Sequence, residues 1–145
     1  MGTFTEEITL ANAGDISAAR NGFIPDGKIR RTTVNALPDT GAWTLVINEE
    51  TRQKLGLAIV AKVDSSLADG SATQYGLSEP VEIRWKDRDI CLQAVVIPHA
   101  SDVLLGALPL EGLDLIVDPV NQRLAGAHGN RRIHILYGLS RQMAR

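Results

Sequence analysis

Apolar residues recur at every second position along much of the chain, and that alternation predicts strands. Residues 3–10 place Phe4, Ile8 and Leu10 on one face, interrupted by Glu6, and read as a first strand. Residues 29–37, with Thr32, Thr33 and Val34, favour a second strand that Pro38 ends. Short apolar strands follow at 44–47 and 58–63. Residues 80–85 alternate Val81, Ile83 and Trp85 with Glu82 and Arg84, and residues 90–97 return across a polar turn at 86–89. Leu115, Ile116 and Val117 face Gln122, Arg123 and Leu124 across Asp118-Pro119-Val120-Asn121, which has the composition of a last hairpin turn.

Between these strands the pattern changes twice. Asn48 precedes Glu49 and Glu50, and Gly56 closes the segment, so a helix capped at both ends is expected there. Residues 107–113 contain Pro109 and allow only a short helix. Residues 12–28 carry Gly14, Gly22, Pro25 and Gly27 and read as a long connection. The pattern as a whole predicts a mostly β, barrel-like single domain with two short helices.

Composition narrows the functional classes. The 145 residues suit one core, and 44% hydrophobic with 22% charged residues is ordinary for a folded chain. A net charge of -2 gives no general attraction to polyanions, so nucleic acid is not an expected partner. Cys91 stands alone, which excludes an intrachain disulfide and any multi-cysteine zinc site, and fits a reducing compartment. Glu6 and Glu7 stand where a secretory signal would be basic and then apolar, and no stretch approaches the roughly 20 apolar residues of a membrane helix. The expectation is a cytoplasmic protein without membrane contact, metal or cofactor.

The chemistry is concentrated at Asp39-Thr40-Gly41-Ala42. By spacing alone, Asp and Gly at a strand end are most often a turn. Here the flanks are apolar, Gly41 permits a tight bend, and Thr40 brings a hydroxyl. Hydrolysis of a peptide bond without metal or covalent intermediate needs a base to activate water and an acid to protonate the carbonyl oxygen. Two carboxylates held together do both, because they cannot ionise simultaneously. One alone does not.

Val103-Leu104-Leu105-Gly106 lies downstream, and this pairing with Asp-Thr-Gly-Ala resembles the retropepsin-like aspartic proteases, most nearly the bacterial single-lobed type. The resemblance spans residues 29–124. It implies a retropepsin-like acid protease barrel over residues 1–130, active as a twofold dimer, with residues 131–145 as a terminal tail or interface strand. It further implies that Asp39 is catalytic and that Thr40, Gly41, Ala42, Leu104, Leu105 and Gly106 support the catalytic loop. By order along the chain, Ala68, Asp69, Gly70 and Ser71 correspond to the flap. Since the chain has one such motif, the second Asp39 would come from another copy across a symmetry axis. The implied activity is aspartic endopeptidase on a polypeptide substrate. The alternative is a noncatalytic dimeric module that binds peptide or protein.

Three residues depart from the family pattern. Pro38 removes a backbone donor just before the aspartate, and Trp43 and Ala107 stand where viral relatives carry an acid and an arginine. Trp43 reads equally well as packed or as lining a cleft. Trp85 follows its strand parity into the core, and Cys91 reads as a small buried hydrophobe. Asp87, Arg88 and Asp89 read as a solvated turn, and His99, His128 and His134 show no ligand or triad spacing.

Overall fold

Strands with one apolar face must bury it, and six of them do so here by closing on themselves. The computed structural model describes residues 3–66 and 68–134. Its strands are β1 (Glu6–Asn12), β2 (Arg31–Pro38), β3 (Leu45–Ile47), β4 (Ile59–Ser66), β5 (Ala72–Trp85), β6 (Arg88–Val96), β7 (Val103–Leu105), β8 (Leu115–Asp118) and β9 (Arg123–Gly126). The hydrogen-bonded order is β1-β2-β7-β3-β6-β5, and β1 pairs again with β5 to complete the ring. Within it β2–β7 and β3–β6 are parallel and the other pairings antiparallel. β4 stands outside the ring, paired with β5, and β8–β9 form a separate hairpin.

Ile8, Leu10 and Ile83 are fully buried inside the barrel on the face the alternation gave them, and Leu45, Ile47 and Leu105 are buried with them. Trp85 is buried as its parity required, its indole N–H donating to Glu6 at 3.0 Å. Helix α2 (Glu49–Leu55) starts and stops as its end residues dictate. The Asn48 side chain accepts from the Thr51 amide, and Gly56 takes the left-handed conformation at φ 62°. Helix α3 (Ala107–Gly112) is short, with Pro109 in its first turn where no intrahelical donor is lost.

Three readings are corrected. Residues 12–28 are not one irregular connection: Asn12 caps a further helix, α1 (Ala13–Arg20), by accepting from the Asp15 amide. That helix buries no residue, so it leaves no apolar stripe in the sequence for periodicity to detect. Asp15 then takes the Arg30 guanidinium at 2.8 Å and ties the helix to the start of β2. Cys91 is exposed on β6, beside Glu82 in register, and is no core residue. Arg88 is buried, not solvated, for reasons given below. In the tail, residues 131–134 have no regular structure, and the rest of the expected interface strand lies outside the described residues.

Candidate catalytic loop

β2 ends at Pro38 and delivers Asp39 to a loop that closes at Thr44. The Asp39 amide donates to the Leu105 carbonyl at 3.0 Å, which fixes the residue against β7. Along a parallel pair, alternate residues point their donors at the neighbour. Because Asp39 uses that direction, Pro38 lies on the other side, beyond the last β1–β2 pair at Glu6 and Ala36. The missing Pro38 donor therefore costs the ladder nothing.

The loop folds back on its own carboxylate. Asp39 Oδ1 accepts the Gly41 amide at 2.9 Å, and the Asp39 carbonyl accepts the Ala42 amide at 3.1 Å. A Cβ at Gly41 would lie 3.1 Å from Oδ1, tighter than ordinary contact. Asp39 is half-buried and Thr40 and Gly41 are exposed. Among the described residues, no side chain or amide bonds the second carboxylate oxygen, which leaves it open to a ligand.

Leu104, Leu105 and Gly106 lie directly behind this loop. Leu37 and Pro38 pair with Leu104 and Leu105, and the Ala107 and Leu108 amides donate to the Ala42 and Trp43 carbonyls at 2.7 and 2.9 Å. Gly106 is the point of closest approach: a Cβ there would lie 2.3 Å from the Thr44 carbonyl oxygen, 2.6 Å from that of Ala42 and 2.8 Å from the Thr44 amide nitrogen. Only glycine leaves room. Thr44, itself buried, completes the seat by donating its hydroxyl to the Gln93 carbonyl at 3.2 Å.

Ala68, Asp69, Gly70 and Ser71 are exposed at the tip of the β4–β5 hairpin. Asp69 accepts both the amide and the hydroxyl of Ser71, and these bonds, the hydroxyl foremost, hold its carboxyl below the ordinary aspartate range. Gly70 has φ +87°. No described hydrogen bond joins this tip to the Asp39 loop.

A second polar cluster, which no spacing of its residues announces, lies on the α3–β8 corner. Arg88 reaches across from the β5–β6 turn and donates to the carbonyls of Leu113, Asp114 and Gly129 at 3.0, 2.8 and 2.8 Å. Asp114, buried with φ 55°, accepts the Ile133 amide at 2.9 Å and the His128 ring at 2.8 Å through one oxygen. His128 thus has a carboxylate partner that its spacing concealed. The only sequence signal was Arg88 itself, an arginine at the position where its strand turns inward. These bonds fasten residues 127–133 beside an open groove of about 1140 Å³ that runs from Thr40 past Leu108, Ile116 and Ile133.

The Ile133 amide, and then His128, hold the Asp114 carboxyl below its ordinary value of 3.8. A carboxyl depressed in the folded state stabilises fully above the unfolded value and loses that contribution as pH falls through the folded one. Acid unfolding followed by circular dichroism is therefore expected to show wild type losing stability below about pH 4. Asp114→Asn should start less stable at neutral pH and fall less steeply across that window. Parallel curves would contradict the assignment.

Among the described residues no group of His, Cys, Asp and Glu is arranged to hold a metal ion, and no helix is long and apolar enough to cross a membrane.

Residues 25–108 match the family described as aspartyl protease. Among solved structures, the retroviral protease-like domain of Ddi1 from Leishmania major superposes with a TM-score of 0.56 at 15% identity, covering 94% of this chain and 95% of that one. That likeness shows a shared retropepsin-like fold. Equine infectious anaemia virus (EIAV) protease, solved with the inhibitor HBY-793, gives 0.49 at 21% identity over 76% and 86% of the two chains. A retropepsin-like aspartic protease from Rickettsia conorii gives 0.47 at 19% identity over 81% and 88%. No curated protein matches the chain.

Proposed function

Because the chain belongs to the aspartyl protease family, we propose that it is an aspartic endopeptidase whose site is assembled from two copies, each giving Asp39. The observation that carries this reading is the Asp39 loop. One carboxylate oxygen is fixed by the Gly41 amide, the other is open, and the backbone behind is locked by Leu105, Ala107 and Leu108. Such a group is held in position and still free to act.

A single carboxylate is base or acid at one moment, not both. A twofold axis beside the loop brings a second Asp39 to the first. Repulsion then keeps one proton on the pair. The ionised member takes a proton from water as the oxygen attacks the scissile carbonyl and the protonated member donates to the carbonyl oxygen; the tetrahedral diol then breaks its C–N bond as the first carboxyl passes its proton to the leaving nitrogen and the second takes back a hydroxyl proton, which restores the pair. Thr40, Gly41, Ala42, Leu104, Leu105 and Gly106 support the loop, and the hairpin tip at Ala68, Asp69, Gly70 and Ser71 closes over an extended peptide as a flap. β4 is outside the ring and paired on one side, so its free edge suits backbone pairing with such a peptide. The catalytic unit is residues 1–130, and the lone Cys91 suits a cytoplasmic setting.

The test is cleavage of a peptide library by wild type from acidic to neutral pH, combined with dilution. Specific activity should fall as the protein is diluted through its dimer dissociation range, because half a site is inactive. A folded dimer that cuts nothing would leave the noncatalytic peptide-binding module as the function. Activity undiminished in a demonstrated monomer would overturn the shared site.

A further inference from the structure

Trp43 is the one large side chain of the Asp39 loop, and the loop holds it out. Thr44 beside it is 1% exposed whereas Trp43 is 53% exposed. Its position is not a matter of slack: the Trp43 carbonyl accepts the Leu108 amide, the Ala42 carbonyl accepts the Ala107 amide, and Thr44 presses on Gly106. The backbone on both sides is pinned to α3 while the indole projects. Among the described residues the indole N–H has no hydrogen-bond partner, in contrast to Trp85, whose N–H donates to Glu6. A rigidly mounted indole with a free N–H and an open apolar face supplies large contact area for little conformational entropy, the property of a binding anchor.

Resting on the endopeptidase reading, we propose that Trp43 determines substrate specificity by forming one wall of a subsite for an apolar side chain of the peptide. The occupant follows from continuity. A peptide that places its scissile bond at Asp39 lies across the same short loop, and the side chain it offers there meets an apolar ring. No charge flanks the indole in sequence, since Ala42 and Thr44 are its neighbours and Ala107 and Leu108 pair with its loop. An apolar side chain is favoured and a charged one is left without a partner. Because this contact forms in the bound substrate and persists through the reaction, its loss raises KM rather than lowering kcat.

The experiment compares wild type, Trp43→Ala and Trp43→Phe on a randomised peptide library, with products sequenced and dimerisation measured by sedimentation. Wild type should show an apolar preference at one fixed distance from the cut. Trp43→Ala should lose it, with kcat/KM for the preferred peptide down roughly tenfold or more, mostly in KM, and Trp43→Phe should retain it. An unchanged preference in Trp43→Ala overturns the proposal, and so does dissociation of that variant to monomers, which would make the indole a subunit contact. The same comparison is repeated as peptide binding in an Asp39→Asn background. If wild type cuts nothing the endopeptidase reading fails, yet a tenfold weaker affinity on adding Trp43→Ala would still place the peptide at the indole, and equal affinities would remove it.

Discussion

Asp39→Asn should produce a chain that folds and dimerises as wild type does and cleaves peptide at least about a thousandfold more slowly. Both expectations come from the geometry. The bond that shapes the loop runs from the Gly41 amide to Asp39 Oδ1 at 2.9 Å, and an asparagine carbonyl oxygen accepts it equally well. What the amide cannot do is carry or release the proton. In a twofold dimer one substitution appears twice, so base and acid disappear together. The measurement is initial rate on the best library peptide, with thermal unfolding and sedimentation on the same samples. Residual cleavage within tenfold of wild type would remove Asp39 from the chemistry. Loss of the dimer would mean that the substitution had been felt structurally, and Asp39→Glu, which keeps the charge and lengthens the reach, would then separate the two effects.

Gly106→Ala is expected to be the most damaging substitution for stability among those considered. The added carbon meets three backbone atoms at 2.3, 2.6 and 2.8 Å, and none of them is the movable end of a side chain. Relief requires moving α3 away from the Asp39 loop, which breaks the Ala107–Ala42 and Leu108–Trp43 bonds. Overpacking typically costs ~1–3 kcal/mol, and a clash against fixed backbone belongs at the top of that range or beyond it. A fall in the melting temperature of roughly 10 °C or more should be seen by calorimetry. Activity should suffer more than stability, since whatever folded population survives carries a displaced loop. A melting temperature within about 2 °C of wild type would show that the seat is softer than its contacts imply.

How much of this could be read from the sequence differs by element. β6, α2, α3 and the β8–β9 hairpin announce themselves through alternation or end residues, because the forces that form them act between neighbours. The union of Asp39 with Gly106 was reached through resemblance, since nothing in local pattern says that two distant short strands will pair in parallel. α1 was missed because it is held by a cap and one ion pair and buries nothing. Arg88 was misjudged for the opposite reason: a charged residue in a polar turn ordinarily stays in water, and only the three carbonyls of a later corner make its burial favourable. Asp114 and His128 were invisible as a pair because each is satisfied by the fold and not by its neighbours. Trp43 was legible as an oddity but not in its direction, which depends on where the loop is pinned.

The seat of the Asp39 loop is drawn from three separated stretches: the end of β2, the turn at Gly106, and the Gln93 carbonyl that holds Thr44 from 49 residues away. Loops of that length are closed late and at an entropic cost, whereas α2 and the β5–β6 hairpin form from local contacts. A preparation in which those local parts have formed and the ring has not closed would give much of the far-ultraviolet circular dichroism of the native protein and have nowhere to place a carboxylate. For this chain spectroscopic foldedness and competence are therefore separate quantities, and the fraction of correctly closed molecules is better counted by titrating the site than by measuring secondary structure.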